Sequence, residues 1–356
     1  MKEIKLSFNS EVPERLSAYI QSEAYLKEQD LAEHWRRRQS PNMESVRVEG
    51  REIVIQLNVL GRTGLSDRNI AQNFGKPYIN VSRYEGESKD SGLFLSIHGF
   101  KRYVKVKLLR YLGCYMGDAF DTMRHFDSYW PKGKGAISVD DILKEYGGKV
   151  DSITTVKGSY IYNEINELIA QKKIVLNRVI EVGPGMGNCL RMIKKYNPEA
   201  TIIIVDLPTS IPYSFCNLLY RFPDAKFCLP NETAVGMDIS EFDFVFLTNE
   251  QTDLLSNNSF DLAINTMSFQ EMKQSDISEY FRLFRRVLKK DNMFYCLNAV
   301  EKHMAYDGTT VPIRFSEYPW KPEDENYKYN LSPVHKGSVT NPFFIKACRL
   351  SIDNQS

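Results

Sequence analysis

The chain has 356 residues, of which 42% are hydrophobic and 26% are charged, values typical of a soluble globular protein with one large or two medium domains. Its 46 Lys and Arg residues nearly balance 45 Asp and Glu residues, so the net charge of +1 argues against nucleic acid or an anionic membrane as a partner. No signal peptide, apolar run of transmembrane length or paired cysteine spacing is present, and we therefore expect a cytoplasmic protein.

The first 60 residues carry helical and strand patterns but no catalytic motif. Apolar residues at helical spacing predict a helix from residue 12 to about residue 38, which ends in the basic cluster His34–Arg38. Basic side chains at a helix C-terminus interact favourably with the helix dipole, so we interpret the cluster as structural rather than as a phosphate site. Alternating apolar residues then predict a β-hairpin between residues 45 and 60.

The chain from residue 61 to residue 135 has weaker patterns. Its composition predicts a polar surface loop at 61–95, a helix rich in aromatic residues and arginine at 102–128, and a linker at Pro131–Gly135. We therefore expect residues 1–150 to form a mostly helical accessory region that shapes an acceptor site or an oligomer contact. Residues 151–356 would form the second domain.

A strand–glycine–helix segment is the strongest motif in the sequence. An apolar run at 179–182 predicts a buried strand, which is followed by Gly183, Gly185 and Gly187 and then by helix-forming residues. Such a turn lets the backbone approach a ligand closely and points the N–H groups at the start of the helix toward it. The dinucleotide-binding fingerprint requires its third glycine at the position of Asn188, which argues against a nicotinamide cofactor.

Two acidic residues extend this motif. Glu181 lies inside the first strand, and a second strand at Thr201–Val205 ends in Asp206, where a ribose-binding carboxylate is expected in a βαβ unit. Together with the three glycines, these residues resemble the S-adenosylmethionine site of class I methyltransferases. The resemblance implies that Glu181 faces the methionine end or orders the glycine loop, and that Asp206 holds the ribose hydroxyls. The alternative is an ordinary strand–turn–helix unit whose glycines only turn the chain.

The remaining periodicities predict an α/β domain. The elements are a helix containing Ile161, Ile165 and Leu168, a helix opening at Pro208–Thr209, strand candidates at Ala225–Leu229, Phe244–Leu247 and Phe260–Asn265, a helix from a Ser275 cap to Lys290, and a strand at Met293–Leu297. Either of the first two strand candidates can join the main sheet next. We favour Phe244–Leu247, because Gln251 beyond its end could reach a nucleobase.

The order of these elements predicts a largely parallel, doubly wound, Rossmann-like sheet covered by helices. Ligands of such sheets bind at the carboxyl ends of the strands. Five residues of interest fall at such ends, namely Gly183, Asp206, Gln251, Asn265 and Asn298.

Residues 155–350 resemble a narrower group, the bacterial sugar O-methyltransferases. The similar segments are Phe260–Met272, Val205–Pro208, Tyr280–Arg282, Phe294–Asn298 and Arg314–Trp320. The resemblance implies a seven-stranded sheet with an antiparallel last strand at Pro342–Leu350. It also implies S-adenosylmethionine as cofactor, S-adenosylhomocysteine as product, and a small-molecule or glycan acceptor such as a nucleotide-linked or lipid-linked sugar. Cofactor contacts are assigned to Ser159 and Tyr160, which precede the first helix of the domain, and to Glu181, Gly183, Gly185, Gly187, Asp206, Leu207, Gln251, Asn265 and Ser268.

Transfer of a methyl group to a sugar hydroxyl requires a general base. The candidates are Glu271 after the fourth strand, His303 after the fifth, and His335 in a polar segment that could close over the site. A structural role is the commoner one for any single histidine. Glu271, His303 and Asp307 lack the spacing of metal ligands, so a divalent metal is neither required nor excluded.

Two further features leave alternatives open. Aromatic residues between Tyr306 and Tyr329 could stack on a pyranose ring, or they could form core or a homo-oligomer interface. A methyltransferase acting on a natural-product scaffold would show the same core motifs. A non-catalytic protein could also keep the cofactor fold and use residues 1–150 to bind partners, although the intact glycines and acidic residues argue against it.

Overall fold

The computed structural model describes residues 3–8, 11–23, 25–26, 46–56, 136–138, 141, 153–306, 309–332 and 342–352. Several predicted features lie outside these residues, namely the basic cluster 34–38, the loop 61–95, the helix 102–128, the linker 131–135 and His335.

The described amino-terminal residues include a small antiparallel sheet and the helix α1. Strand β1 spans Glu3–Ser7, helix α1 Val12–Ile20, strand β2 Val46–Glu49 and strand β3 Glu52–Gln56, with strand order β1-β3-β2. The predicted hairpin is confirmed as the β2–β3 pair, which turns at Gly50 with φ of 61°. Strand β1 is an addition that the sequence pattern did not indicate.

Helix α1 is shorter than the predicted helix of residues 12–38. It ends at Ile20, because Ser22 donates its backbone N–H to the carbonyl of Tyr19 and accepts the N–H of Tyr25 on its hydroxyl at 3.4 Å. A serine whose side chain binds a nearby backbone N–H competes with continued helical hydrogen bonding. The predicted continuous helix is therefore interrupted at residues 21 and 22, residues 23, 25 and 26 are helical again, and residues 27–38 lie outside the described residues.

Helix α1 packs against the large domain. Leu16 and Tyr19 are fully buried, and the Tyr19 hydroxyl donates to the carbonyl of Pro208 at 2.9 Å. The Arg15 guanidinium donates to both carboxylate oxygens of Glu232 at 2.6 Å and to the carbonyl of Phe227 at 2.7 Å. The amino-terminal unit is therefore joined to the segment that follows Asp206 and to the chain after residue 226.

We expect Arg15→Ala to lower the free energy of unfolding by roughly 1.5–3 kcal/mol, because hydrogen bonds to charged groups contribute about that much. Chemical denaturation followed by circular dichroism measures the change. Arg282→Ala is the matched control, since Arg282 pairs with Glu279 on an exposed helix surface and such pairs contribute little. Equal effects of the two substitutions would show that the Arg15 contact does not hold α1 in place.

The large domain is built on an eight-stranded sheet. Its helices are α2 (Ile153–Lys172), α3 (Asn188–Tyr196), α4 (Ile211–Arg221) and α5 (Gln274–Val287). Its strands are β4 (Arg178–Val182), β5 (Thr201–Val205), β6 (Phe227–Cys228), β7 (Phe244–Leu247), β8 (Phe260–Thr266), β9 (Leu288–Ala299), β12 (Glu325–Leu331) and β13 (Phe343–Arg349). The strand order is β12-β13-β9-β8-β4-β5-β7-β6.

The topology confirms the predicted fold class. Strands β4 to β9 pair in parallel with one another, and β13 runs antiparallel between β9 and β12, as predicted for the last strand. Strand β7 is the candidate that joins β5, also as predicted. The two-residue strand β6 makes an eighth strand beside the predicted seven, because it extends the sheet beyond β7.

The central strands β4, β5 and β7 are buried on both faces because they are mainly apolar, whereas the edge strand β12 is polar and largely exposed. Successive side chains of a strand point to opposite faces, and Val179 and Ile180 accordingly belong to different hydrophobic clusters. Helices α2, α3 and α4 contribute to the first cluster, whereas α5 packs in the second through Phe281 and Phe284. Helices thus cover both faces, which is the doubly wound arrangement.

Helix α5 differs from its prediction at both ends. Ser275 lies inside the helix and donates to Asp276, so the predicted Ser275 cap is wrong, and Lys273 occupies the cap position. The chain becomes extended at Leu288, which pairs with Phe260, and the predicted helical residues 288–290 therefore belong to β9.

An antiparallel hairpin follows β9. Strands β10 (Glu301–Tyr306) and β11 (Thr309–Arg314) pair with each other and lie against the 3₁₀ turn Phe269–Glu271 after β8. Met304 and Ile313 anchor the hairpin in the second hydrophobic cluster. The hairpin therefore borders the carboxyl ends of β8 and β9.

Candidate functional site

The glycine loop lies where β4 ends, close to the segment that follows β8. Gly183 has φ of 66° and donates its N–H to the carbonyl of Val205 at 2.8 Å. A Cβ atom on Gly183 would lie 2.0 Å from the hydroxyl oxygen of Ser268. Both the positive φ and the close approach require glycine at this position. The structure thus brings two of the predicted cofactor residues together.

The loop leads directly into helix α3. Gly185 and Gly187 also have positive φ, of 61° and 71°, and Gly187 is the N-cap residue. Glycine has no side chain with which to cap the helix, so the first N–H groups of α3 face the loop. A helix N-terminus of this kind favours polar or anionic ligand groups.

Glu181 is a buried carboxylate with one unpartnered oxygen. Its side chain is 1% exposed, Oε1 accepts a hydrogen bond from the Thr266 hydroxyl at 3.0 Å, and Oε2 has no partner among the described residues. Burial raises the pKa of Glu181 to about 8, with a smaller contribution from Asp206. Oε2 therefore lacks a hydrogen-bond donor or cation among the described residues that would further stabilise the charge of the carboxylate.

Asp206 lies at the end of β5, beside β4. Val205 pairs with Val182 in the sheet, so Asp206 and the glycine loop emerge at the same edge. The carboxylate accepts the N–H of Leu207 at 2.8 Å, and burial raises the pKa of Asp206 to about 7. Two carboxylates with raised pKa values thus face one edge of the sheet.

Further buried polar atoms near the loop have no partner among the described residues. They include the Ser159 hydroxyl in α2 and the side-chain carbonyl of Asn188 at the start of α3. The helices touch here, since a Cβ on Gly158 would lie 2.8 Å from the Asn188 Cβ. Buried polar atoms are rarely left without partners. Their grouping with Glu181 therefore favours a polar ligand beside the glycine loop.

Ser159 and Tyr160 lie inside α2, not before it as predicted, because the helix begins at Ile153. The Tyr160 hydroxyl donates to Glu164 at 2.8 Å. Glu164 also accepts from the Tyr295 hydroxyl at 2.6 Å and from Lys328 at 2.5 Å. Tyr160 is thus held in a network within the protein.

Two other predicted cofactor residues make structural contacts. The Gln251 amide donates to the Pro230 carbonyl and the Thr233 hydroxyl, each at 2.8 Å, and its oxygen accepts the N–H of Thr248. Asn265 donates to the Val182 carbonyl at 3.0 Å and accepts from Asn298 at 2.8 Å. Both side chains therefore link strand ends, and their roles toward a cofactor stay predictions.

The structure separates the predicted catalytic residues. Glu271 pairs with Lys302. His303 is 62% exposed and lies near Glu301 at 3.6 Å. Neighbouring residues of a strand point to opposite sides, so His303 faces away from the side on which Lys302 meets Glu271. The expectation that Glu271 and His303 point into one space is therefore wrong, and His335 lies outside the described residues.

The aromatic residues of the carboxyl-terminal segment belong mainly to the core. Phe315 and Tyr318 are buried, and Trp320 packs edge-to-face on Phe281 with ring centroids 4.8 Å apart. Tyr329 is exposed and stacks on Phe344. The core interpretation therefore holds for the first three of these residues.

Gly158, Asn188 and Lys302 are the site residues that sequence reasoning missed. Asn188 stands where the dinucleotide fingerprint has its third glycine, and this difference indicated a polar group at the loop. Gly158 and Lys302 gave no such signal, because their contacts depend on how α2 meets α3 and how the hairpin meets Glu271.

No group of three or more His, Cys, Asp or Glu side chains that could hold a metal occurs among the described residues. In the same part of the chain, no helix is long and apolar enough to cross a membrane.

We expect Glu181→Gln to stabilise the ligand-free protein by on the order of 2 kcal/mol at about pH 9 and to have little effect near pH 4. The pKa of Glu181 is higher in the folded state, at about 8, than in the unfolded state. As pH rises from the unfolded pKa to about 8, the unfolded state loses this proton more readily, and the folded state becomes less stable relative to it. Urea unfolding at several pH values measures the change. Asp206 still titrates in the variant, so a residual slope near pH 7 should remain. A variant less stable than the wild type at about pH 9 would contradict this account.

No protein-family model matches the chain, and no curated protein matches its sequence. Among solved structures, it is similar to 1,6-didemethyltoxoflavin-N1-methyltransferase from Burkholderia thailandensis with bound S-adenosylhomocysteine, at 14% identity and a TM-score of 0.36, over 58% of this chain and 90% of the other. It is also similar to an S-adenosylmethionine-dependent methyltransferase from Leishmania major, at 13% identity and a TM-score of 0.37, over 66% of this chain and 87% of the other. A third similar structure is an S-adenosylmethionine-dependent methyltransferase from Clostridium acetobutylicum ATCC 824, at 10% identity and a TM-score of 0.34, over 53% of this chain and 90% of the other.

Proposed function

We propose that the chain is an S-adenosylmethionine-dependent methyltransferase. The observation that carries the proposal is the edge where the glycine loop, the buried Glu181 and Asp206 meet. One unpartnered carboxylate oxygen, a half-buried second carboxylate and a backbone turn that excludes any Cβ are present together. This set fits a ligand that is rich in hydrogen-bond donors and carries positive charge.

S-adenosylmethionine matches these requirements group by group. Its ribose offers two hydroxyl donors for Asp206, and its ammonium offers donors for the open oxygen of Glu181. Both interactions favour ionised carboxylates, which burial alone disfavours in the free protein. When bound, the cofactor supplies a methyl group on a sulfonium leaving group. The protein must hold the acceptor in line with that group and exclude water.

The acceptor we propose is a hydroxyl of a sugar or of a surface-glycan precursor. The support is the resemblance of Phe260–Met272 and the segments near it to sugar O-methyltransferases. In this proposal the acceptor lies beside Ser268–Met272 and the β10–β11 hairpin, which contact each other near the carboxyl ends of β8 and β9. The same space could receive a natural-product scaffold, which is the second candidate.

Glu271 is the general base that the described residues support best. It is half-buried at the border of the proposed acceptor space, and Lys302 holds its carboxylate in place. A carboxylate so held can orient an acceptor hydroxyl and take its proton during transfer. His335 stays a proposal for this role because it lies outside the described residues.

The test is transfer of a labelled methyl group from S-adenosylmethionine to a panel of free sugars, nucleotide sugars, lipid-linked sugars and phenolic scaffolds. Labelling of a sugar that is lost in Glu271→Gln, with cofactor binding retained, is the expected result. Labelling only of a non-sugar would overturn the acceptor assignment. Cofactor binding without any transfer would favour a non-catalytic binding protein.

A further inference from the structure

Lys157 lies at the edge of the candidate site although no motif marks it. Helix α2 ends at Lys172 and β4 begins at Arg178, so the helix runs back along the sheet toward the glycine loop. Lys157 lies about 22 Å from the end of α2, because an α-helix rises 1.5 Å per residue. The five residues of β4 span only about 17 Å. Lys157 therefore reaches the end of the sheet where the glycine loop begins.

Two contacts fix this placement. A Cβ on the adjacent residue, Gly158, would touch Asn188 at 2.8 Å, which places this part of α2 against the start of α3. Lys157 also shares a helix face with Tyr160 and Glu164, since residues three and seven apart lie on one side of a helix. Glu164 contacts Tyr295 of β9, so this face is turned toward the sheet. Lys157 is one turn nearer to the site than Tyr160.

The Lys157 ammonium has no partner among the described residues. No side-chain or backbone oxygen there accepts a hydrogen bond from it, and burial is the only influence on its pKa, which is lowered. An isolated charge in a mostly buried position is unfavourable unless a counter-charge arrives. The ordinary structural explanation, an internal ion pair, is therefore missing for this lysine.

The neighbouring groups indicate which counter-charge fits. The Ser159 hydroxyl and the N-terminus of α3 lie beside Gly158 and favour an anion. Glu181 Oε2, which also lacks a partner, favours a cation. A site that offers an open ammonium and an open carboxylate matches a zwitterion, an α-amino acid, better than it matches a phosphate.

We propose that Lys157 binds the carboxylate of the amino-acid portion of S-adenosylmethionine and so positions the methionine end. The proposal rests on the proposed function. Lys157 is a positioning residue in this account, because it holds a part of the cofactor that does not react. Glu181 accepts from the ammonium of the same amino-acid portion.

The test compares two ligands that differ by the amino-acid group, S-adenosylhomocysteine and 5′-methylthioadenosine. Calorimetry measures both affinities for the wild type and for the variants Lys157→Met and Lys157→Arg. The control variant is Lys173→Met, which replaces an exposed lysine just after the same helix. We expect Lys157→Met to weaken S-adenosylhomocysteine at least about tenfold and to leave 5′-methylthioadenosine unchanged. Lys157→Arg should retain most of the affinity, and Lys173→Met all of it.

The outcomes separate this proposal from the proposed function. Unchanged binding of S-adenosylhomocysteine by Lys157→Met would overturn the role of Lys157 and leave the cofactor assignment standing. Equal weakening of both ligands would also overturn it, since the lysine would then act on the site as a whole. A wild-type protein that binds neither ligand would overturn both proposals. Methionine is close to lysine in volume and removes an unpaired charge, so the variant should fold.

Discussion

Gly183→Ala should abolish detectable binding of S-adenosylhomocysteine. A Cβ atom there would lie 2.0 Å from the Ser268 hydroxyl oxygen and 2.6 Å from its Cβ, so the glycine loop or the segment after β8 must move. The positive φ of 66° adds about 1–2 kcal/mol of strain for any residue with a side chain. The displaced loop would no longer present the backbone of α3 to the cofactor. Calorimetric titration measures the loss.

Gly236→Ala is the control for backbone strain alone. Gly236 has φ of 80°, but a Cβ on it would meet no atom within 4 Å. It should therefore lose about 1–2 kcal/mol of stability and keep its ligand. Adding Ser268→Gly to Gly183→Ala removes both clashing atoms and should restore part of the binding. If Gly183→Ala alone binds like the wild type, the close approach of the two segments is not required.

Asp206→Ala should lower the affinity for S-adenosylhomocysteine at least tenfold. Asp206 is the acceptor at the end of β5 for the two ribose hydroxyls in the proposed site. Leaving each partner without its hydrogen bond costs roughly 1–3 kcal/mol, which is enough for that loss or a larger one. Calorimetry at about pH 8, where the carboxyl is largely ionised, gives the clearest comparison.

The matched control is Asp224→Ala, which removes an exposed carboxylate from the turn after α4. It should bind the ligand as the wild type does. If Asp206→Ala also keeps the wild-type affinity, the ribose is not held at the end of β5, and the assignment of this edge to the cofactor fails.

Local patterns predicted the centre of the domain. Strand β5 has the predicted bounds, and β4, the glycine loop and α3 follow in the predicted order. These elements are set by short runs of apolar residues and by glycines, whose backbone preferences act within a few residues. Asp206 was recognisable for the same reason, because a carboxylate directly after a buried strand must lie at the edge of the sheet.

Side-chain direction and partner choice were not predictable in the same way. His303 faces solvent because β10 pairs with β11 in a register that turns Lys302 toward Glu271. The Gln251 amide is engaged by Pro230 and Thr233, about 20 residues earlier in the chain. Such contacts depend on the packing of distant segments, so residue type and position alone could not predict them.

The most direct test of the account is calorimetric titration of the wild-type protein with S-adenosylhomocysteine. We expect saturable binding at one site per chain, with an affinity that weakens as pH falls through about 8 and then about 7, because Glu181 and Asp206 must lose their protons to accept hydrogen bonds from the ligand. Absence of binding at pH 8, with the protein folded by circular dichroism, would contradict the account at its centre.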